Sequence, residues 1–328
     1  MYGPFYDLRE RPFDLTPNPR YLVATEIHRE ALANLQYALA GRKGITLLVG
    51  EAGSGKTTVI RAAIEDQPAA THCVHLRNPA LTRDEFVEML AAQFGLSERA
   101  KASKTALLLE LEDLLRHRHS AQEATALIID EAHLLSLELL EEVRLLANIE
   151  TDCEKLMSLV LAGQREIADR LKDPSLAQLK QRVELRCELR PLDRLETFTY
   201  VSGRIGAAGG VARNLFTREA VDLIYQRSNG NPRTINVIAD NALLAGLALQ
   251  QRPVTAGTVF EVCQDFDITP SDATSPPSPP SPSGGEEVVD GTRRGGGTGG
   301  DALSAQHGTT TETVLNRSGW KSRRSLFV

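Results

Sequence analysis

The chain has 328 residues, of which 41% are hydrophobic and 24% charged, with a formal net charge of -6. These values exclude a fibrous protein and a broad basic field of the kind that drives non-specific nucleic-acid binding, although a local basic patch stays open. The length exceeds what one hydrophobic core usually serves, so one large domain with appendages is expected.

Cys73, Cys153, Cys187 and Cys263 stand far apart and form no CxxC pair, which points to neither a zinc site nor a disulfide framework and fits a reducing cytosol. The first residues lack the basic-then-apolar order of a signal peptide, and no stretch approaches the ~18 apolar residues of a membrane span. The expected location is cytoplasmic, with peripheral association to the inner membrane as the variant.

Apolar runs of strand length alternate with segments of helical period, which predicts an α/β architecture with a mostly parallel sheet. Strands are expected at 44–49, 72–76, 125–129, 156–162 and 183–189. Thr82 and Glu85 form a capping-box pair ahead of an apolar run, and Gly95 can end the helix they start. Further helices are expected over 104–116 and 137–149. From 192 to 266 strand signals give way to amphipathic helices at 195–207, 218–227, 232–250 and 258–266. Asn229-Gly230-Asn231-Pro232 supplies a stop, a turn and a proline suited to a first helical position. From Thr269 the chain turns to Pro/Ser-rich and then Gly-rich sequence, which buries too little apolar area to offset its ordering entropy; disorder is expected over 269–328. Its last residues, 317–328, mix bases with Trp320, Leu326 and Phe327, and read either as a docking peptide or as a frayed end.

Gly50-Glu51-Ala52-Gly53-Ser54-Gly55-Lys56-Thr57 matches G-x-x-x-x-G-K-[ST] in full, between an apolar strand and a helix that continues with Thr58. The glycines let successive backbone N–H groups turn inward onto phosphate oxygens, and the helix N-terminus adds its positive end. Lys56 is expected to reach the β and γ phosphates of ATP, and Thr57 to offer its hydroxyl to Mg2+. A second strand, 125–129, delivers Asp130 and Glu131 together at its carboxyl end, where open α/β sheets bind ligands. Asp130 is then the metal carboxylate, and Glu131 the base that orients and deprotonates the attacking water. The string Asp130-Glu131-Ala132-His133 also suggests a helicase, but such a protein needs a second nucleotide-grasping domain and the chain has no room for one.

The opening Met1-Tyr2-Gly3-Pro4-Phe5-Tyr6, continuing to Tyr21 and His28-Arg29-Glu30-Ala31-Leu32, resembles the ExeA/GspA-type secretion ATPases of the AAA+ class, as does the stretch from Leu140 to Asp152 with Leu161-Ala162-Gly163-Gln164. The resemblance spans 1–266. It implies a five-stranded αβα P-loop NTPase domain over 1–190, with 1–40 as an N-terminal motif and helix, and a helical lid over 191–268. It implies ATP at their junction, magnesium, and a homo-oligomer with shared sites. By the same resemblance Gln164 is a sensor of the γ phosphate, with a plain turn residue as the alternative. Arg182 stands where the family places its trans-acting arginine, with Lys180 and Arg186 close by, and Ile27 and His28 are expected to line the adenine pocket. Arg233 follows Pro232 at a helix's first turn, where the macrodipole disfavours a cation unless an anion is near; the resemblance makes it the second sensor. Family members usually continue into a membrane span and a wall-binding region, in place of which this sequence carries its low-complexity tail.

The expected function is an ATP-hydrolysing switch or motor working with a protein partner in a secretion, envelope or surface-appendage machine. The alternative is a nucleic-acid-binding ATPase of the transposition or initiator kind, built on the same core.

Overall fold

The computed structural model describes residues 2–268, apart from Ala24, Arg42, Lys43 and Asn78. The expectations for 269–328, disorder and a terminal docking peptide alike, lie outside the described residues. In chain order the elements are α1 (Glu26–Ala40), β1 (Ile45–Gly50), α2 (Lys56–Glu65), β2 (Thr71–Leu76), α3 (Arg83–Phe94), α4 (Glu98–Ala102), α5 (Lys104–Ser120) and β3 (Ala124–Ile129). They continue with α6 (Leu137–Leu146), β4 (Ser158–Gly163), α7 (Arg165–Arg170), α8 (Ala177–Lys180) and β5 (Val183–Leu189). Five helices follow: α9 (Arg194–Ala207), α10 (Ala212–Leu215), α11 (Arg218–Ser228), α12 (Pro232–Ala248) and α13 (Ala256–Asp265).

The five strands form one sheet in the order β2-β3-β4-β1-β5, and every pairing is parallel. Parallel strands covered on both faces read as continuous apolar runs, and the side chains of β1 divide by the two-residue pleat. Leu47 and Val49 enter a core shared with α3, α5 and α6, whereas Leu48 enters the opposite core with α1 and α2. The register sets Val49 beside Gly163, Leu161 beside Ile129, and Ile129 beside Leu76. The residues that follow these strands therefore emerge along one carboxyl edge.

Strand positions follow the sequence reading within a residue or two, and the departures have physical causes. Leu156 and Met157 are buried, but they lead into β4 beside an antiparallel Glu150–Lys155 bridge and are not part of its ladder. The helix expected over 137–149 ends earlier, at Leu146, in tight turns closed by Asn148 N on Leu145 O and Ile149 N on Leu146 O. Thr82 does form its capping box with Glu85, and Gly95 closes α3 in the left-handed region at φ 69°.

The segment from Tyr2 to Tyr21 shares its hydrophobic core with α9, α11, α12 and α13, so the helical part is completed by the other end of the chain. Tyr2, Tyr6 and Phe13 are almost wholly buried there, each worth roughly 1.5–3 kcal/mol relative to exposure. Polar clamps fix the same segment: Arg9 N donates to Ala208 O at 2.9 Å, and Arg252 Nη1 to Phe5 O at 2.9 Å. Arg204 is the innermost clamp. Its buried guanidinium donates from Nε to Pro12 O at 2.6 Å, from Nη2 to Asp14 O at 3.1 Å and from Nη1 to the Tyr200 hydroxyl at 2.7 Å. It also lies over the Tyr21 ring, 5.0 Å from the centroid.

Removing that guanidinium leaves the buried Pro12 carbonyl and the part-buried Asp14 carbonyl without this donor. Arg204→Leu is expected to lower unfolding free energy by about 3 kcal/mol, read from urea denaturation. A loss below about 0.5 kcal/mol, the range of an uninvolved surface change, would contradict the clamp.

Candidate functional site

A cavity of about 290 Å³ opens where the carboxyl edge of the sheet, the segment 14–23 and the helices α9 and α12 meet. Its floor is the glycine loop. Gly53 and Gly55 hold φ values of +82° and +99°, a left-handed backbone that L side chains rarely adopt. A Cβ at Gly53 would stand 2.5 Å from Arg233 Cβ, so glycine there also allows α12 to approach. Gly55 and Lys56 start α2 and face the cavity together with Thr57 and Thr58.

Lys56 is 5% exposed and donates from Nζ to Gly50 O at 2.9 Å and Glu51 O at 3.1 Å. Burial pulls its pKa below the ordinary lysine value, against the opposing pull of the Glu131 and Asp130 carboxylates. Ser54 Oγ is buried under the loop without a hydrogen-bond partner among the described residues.

Asp130 extends the carboxyl end of β3 and is 3% exposed. Its Oδ2 accepts from Thr57 Oγ1 at 2.7 Å and its Oδ1 from the Glu131 backbone N–H at 3.0 Å. Burial pushes the Asp130 pKa upward, but the nearby His75 ring and the Thr57 and Glu131 donors outweigh it and hold the carboxyl below its ordinary value. His75 Nε2, on β2, is buried without a hydrogen-bond partner among the described residues, 3.8 Å from Asp130 Oδ2.

Glu131 occupies the left-handed region at φ 55°, ψ 35°, an uncommon conformation for a residue with a side chain and a form of strain that gathers at functional sites. Its side chain is 40% exposed and lines the cavity. Gln164 follows β4 and opens α7, and its amide nitrogen lies 3.0 Å from His133 Nε2. Arg233 also lines the cavity. Asn231 caps α12 by accepting from the Arg233 and Thr234 N–H groups, and its Nδ2 donates to Ala52 O at 2.8 Å. Arg233 N donates to Gly53 O at 3.3 Å, so the start of α12 is bonded directly to the loop.

Gln164 does not line the cavity, and two other expected site residues sit elsewhere. Ile27 packs into the core between α1, α2 and the sheet and does not line the cavity. Its neighbour His28, about 100° further around the helix, does. Arg182 lies at the opposite edge: its carbonyl accepts from Ile45 N, at the amino end of β1. A six-residue strand, roughly 20 Å of chain, separates it from the glycine loop.

The segment 14–23 and the residues Tyr200, Arg204 and Asn236 were not anticipated as cavity walls. One signal was available: Arg204 sits on the buried stripe of α9 with Tyr200, Val201 and Ile205. His28 Nδ1 pairs with Thr25 Oγ1 at 2.7 Å and its Nε2 contacts Ser54 O at 3.3 Å, bracing the loop from behind.

The arrangement offers a glycine loop in left-handed backbone, a buried ammonium, hard oxygens and a partly exposed carboxylate around one cavity. It is the site of a P-loop NTPase fold of the AAA class. Residues 39–171 match the family described as an AAA domain. Over 259 residues, 79% of this chain, the sequence is 38% identical to General secretion pathway protein A of Aeromonas hydrophila. The chain covers 47% of that protein, about half its length. Among solved structures, the ADPNP-ADP complexes of the Aeropyrum pernix ORC2 protein align with TM-score 0.59 and 15% identity, over 78% of this chain and 71% of that one. Drosophila ORC bound to DNA aligns with TM-score 0.58 and 18% identity, over 79% and 65% of the respective chains. At those identities the structures share the fold alone. The chain thus has the P-loop NTPase fold, matches an AAA domain over residues 39–171 and is similar to General secretion pathway protein A over 79% of its length.

Burial pushes the His28 imidazole pKa below its ordinary value, with the contact to Ser54 O and the charge of Glu196 acting against it. The unfolded chain therefore takes up that proton first as pH falls. The stability contribution is present above the unfolded value, about 6.5, and is lost as pH drops through the folded one. His28→Gln is expected to flatten the decline of urea midpoint between about pH 7 and pH 5; an unchanged slope would contradict a neutral His28 in the fold.

Proposed function

We propose that this chain binds ATP with magnesium in the cavity, hydrolyses it, and uses the cycle to drive a secretion- or envelope-associated assembly. The observation that carries the reading is the joining of three separate segments at one cavity: Lys56 and Thr57 from the loop, Asp130 and Glu131 after β3, and the Asn231–Arg233 start of α12. Gln164, after β4, is linked to Glu131 through His133. The secretion assignment rests on the name of the homologue in Aeromonas hydrophila.

The residues fit the cofactor. Thr57 Oγ1 and Asp130 Oδ2 are hard oxygens already in contact, the donor type that magnesium prefers, and Ser54 Oγ is a buried hydroxyl lacking a partner among the described residues. Thr57 and Asp130 would hold the ion, which when bound supplies positive charge against the phosphate oxygens. Lys56 exchanges its two loop carbonyls for β and γ oxygens, and the loop N–H groups take the rest of the charge. Glu131 accepts the proton of the attacking water. Gln164, beyond the end of β4, orients on the γ phosphate. Arg233 closes on the same group, and because α12 is bonded to Ala52 and Gly53 its movement is transmitted to the helical part. His28, Tyr200 and Asn236 form the walls toward the base.

Arg182 lies too far from its own cavity to act there, so its role requires a neighbouring copy of the chain. We assign it to the neighbour's site in a homo-oligomer.

Glu131→Gln is expected to retain ATP affinity and to lower turnover by roughly 10²–10⁴-fold, the usual worth of a general base. Steady-state phosphate release and equilibrium nucleotide binding on the same preparations check it, and unchanged turnover would remove Glu131 from the mechanism. Lys56→Ala should lose nucleotide binding itself. Arg182→Ala subunits mixed with Lys56→Ala subunits should recover turnover that neither shows alone, as a shared site demands.

A further inference from the structure

His133 lies between two residues of the proposed chemistry, and nothing in the sequence motifs gave it a task. Its side chain is 11% exposed. Nε2 lies 3.0 Å from the Gln164 amide nitrogen, while Nδ1 lies 3.4 Å from the Gln164 backbone nitrogen and 3.5 Å from Glu131 Oε2. The residue is placed by two further features. Arg170 Nη1, from α7, donates to His133 O at 2.8 Å. Gly163, the last residue of β4, leaves the room the ring occupies: a Cβ there would stand 3.1 Å from His133 N and 3.4 Å from Nδ1.

The chemistry of a neutral imidazole makes this contact selective, because one ring nitrogen donates and the other accepts. The Gln164 backbone N–H donates to Nδ1, and a neutral ring cannot accept at both nitrogens; when Gln164 presents its NH2 to Nε2, that nitrogen accepts, the backbone contact is given up, and the proton on Nδ1 is offered to Glu131. When Gln164 presents its carbonyl oxygen, Nε2 must donate; Nδ1 then accepts from the Gln164 backbone N–H, and Glu131 loses its donor. The orientation of one amide thus fixes whether the carboxylate is anchored.

We propose that His133 is a positioning residue that relays the state of Gln164 to Glu131. This rests on the ATPase reading above, in which Gln164 answers to the γ phosphate and Glu131 to the attacking water. Glu131 gains from such support because its backbone is strained and its side chain is partly exposed, which leaves the carboxylate free to swing unless something holds it. The relay makes water activation conditional on the group that Gln164 senses.

The test is a double-mutant cycle on the full chain, with ATP affinity and kcat measured separately. His133→Ala is expected to keep ATP affinity within about threefold while lowering kcat by about 10²-fold, the scale of a misplaced reacting group. In the Glu131→Gln background the same substitution should cause no further loss. His133→Asn, whose amide nitrogen can stand near the place of Nδ1, should regain part of kcat and guards against a misfolded alanine variant. Equal losses in both backgrounds, a loss confined to affinity, or His133→Asn as slow as His133→Ala while binding ATP normally would each overturn the relay. Absence of ATP binding in the unsubstituted chain would overturn the ATPase reading and the relay with it, whereas normal turnover in His133→Ala would overturn the relay alone.

Discussion

The hydroxyl of Thr57 donating to the buried carboxylate of Asp130, at 2.7 Å, is the contact on which the rest of the site depends. It joins the first turn of α2 to the end of β3, two segments 73 residues apart in sequence. A carboxylate 3% exposed would ordinarily be driven toward its neutral form. Here the nearby His75 ring and the Thr57 and Glu131 donors keep its pKa below the ordinary value, so a negative charge is maintained in a place from which water is mostly excluded. Lys56 and Asp130 are thus two buried opposite charges, each held by contacts of its own.

Delivery of these groups is a property of the parallel sheet. Because all strands run the same way and neighbours are in register, the residues after β1, β3 and β4 emerge together. The second half of the cavity comes from the helical part, and its attachment explains the role of the N-terminal segment. Residues 2–21 are packed into that part, and Pro17 O accepts from Arg61 Nη1 on α2 at 2.5 Å. The segment therefore spans from the helices to the glycine loop, forming a wall of the cavity on the way. This wall and the Asn231–Ala52 bond tie the two parts together beside the cavity.

Much of this was legible in the sequence. The glycine loop is an unbroken local pattern, Asp130 and Glu131 follow an unmistakable strand, and Asn231-Pro232 reads directly as a helix start. The relations that were not legible are those that local pattern does not encode. Tyr2, Tyr6 and Phe13 announce burial but not against which core, and their partners lie some 200 residues away in the chain. Leu156 and Met157 are as buried as a strand, and hydropathy reads burial rather than pairing. Ile27 and His28 are adjacent in sequence and face different surroundings, which only the phase of α1 decides. Nothing in the sequence assigned a role to His75, and His133 had only a place in the Asp-Glu-Ala-His string; their ring nitrogens acquire meaning from Asp130, Glu131 and Gln164, which the fold brings beside them. Arg204 was the one readable exception, a charge on an apolar stripe.

The central claim is that Lys56, Thr57 and Asp130 together form a receptor for a metal-bound triphosphate. Calorimetric titration of the full chain with ATP, in magnesium and then in chelator, tests it most directly. The account predicts saturable binding at one nucleotide per chain that weakens at least tenfold when magnesium is withdrawn, about 1.4 kcal/mol. Heats that show no binding, or an affinity indifferent to magnesium, would contradict it.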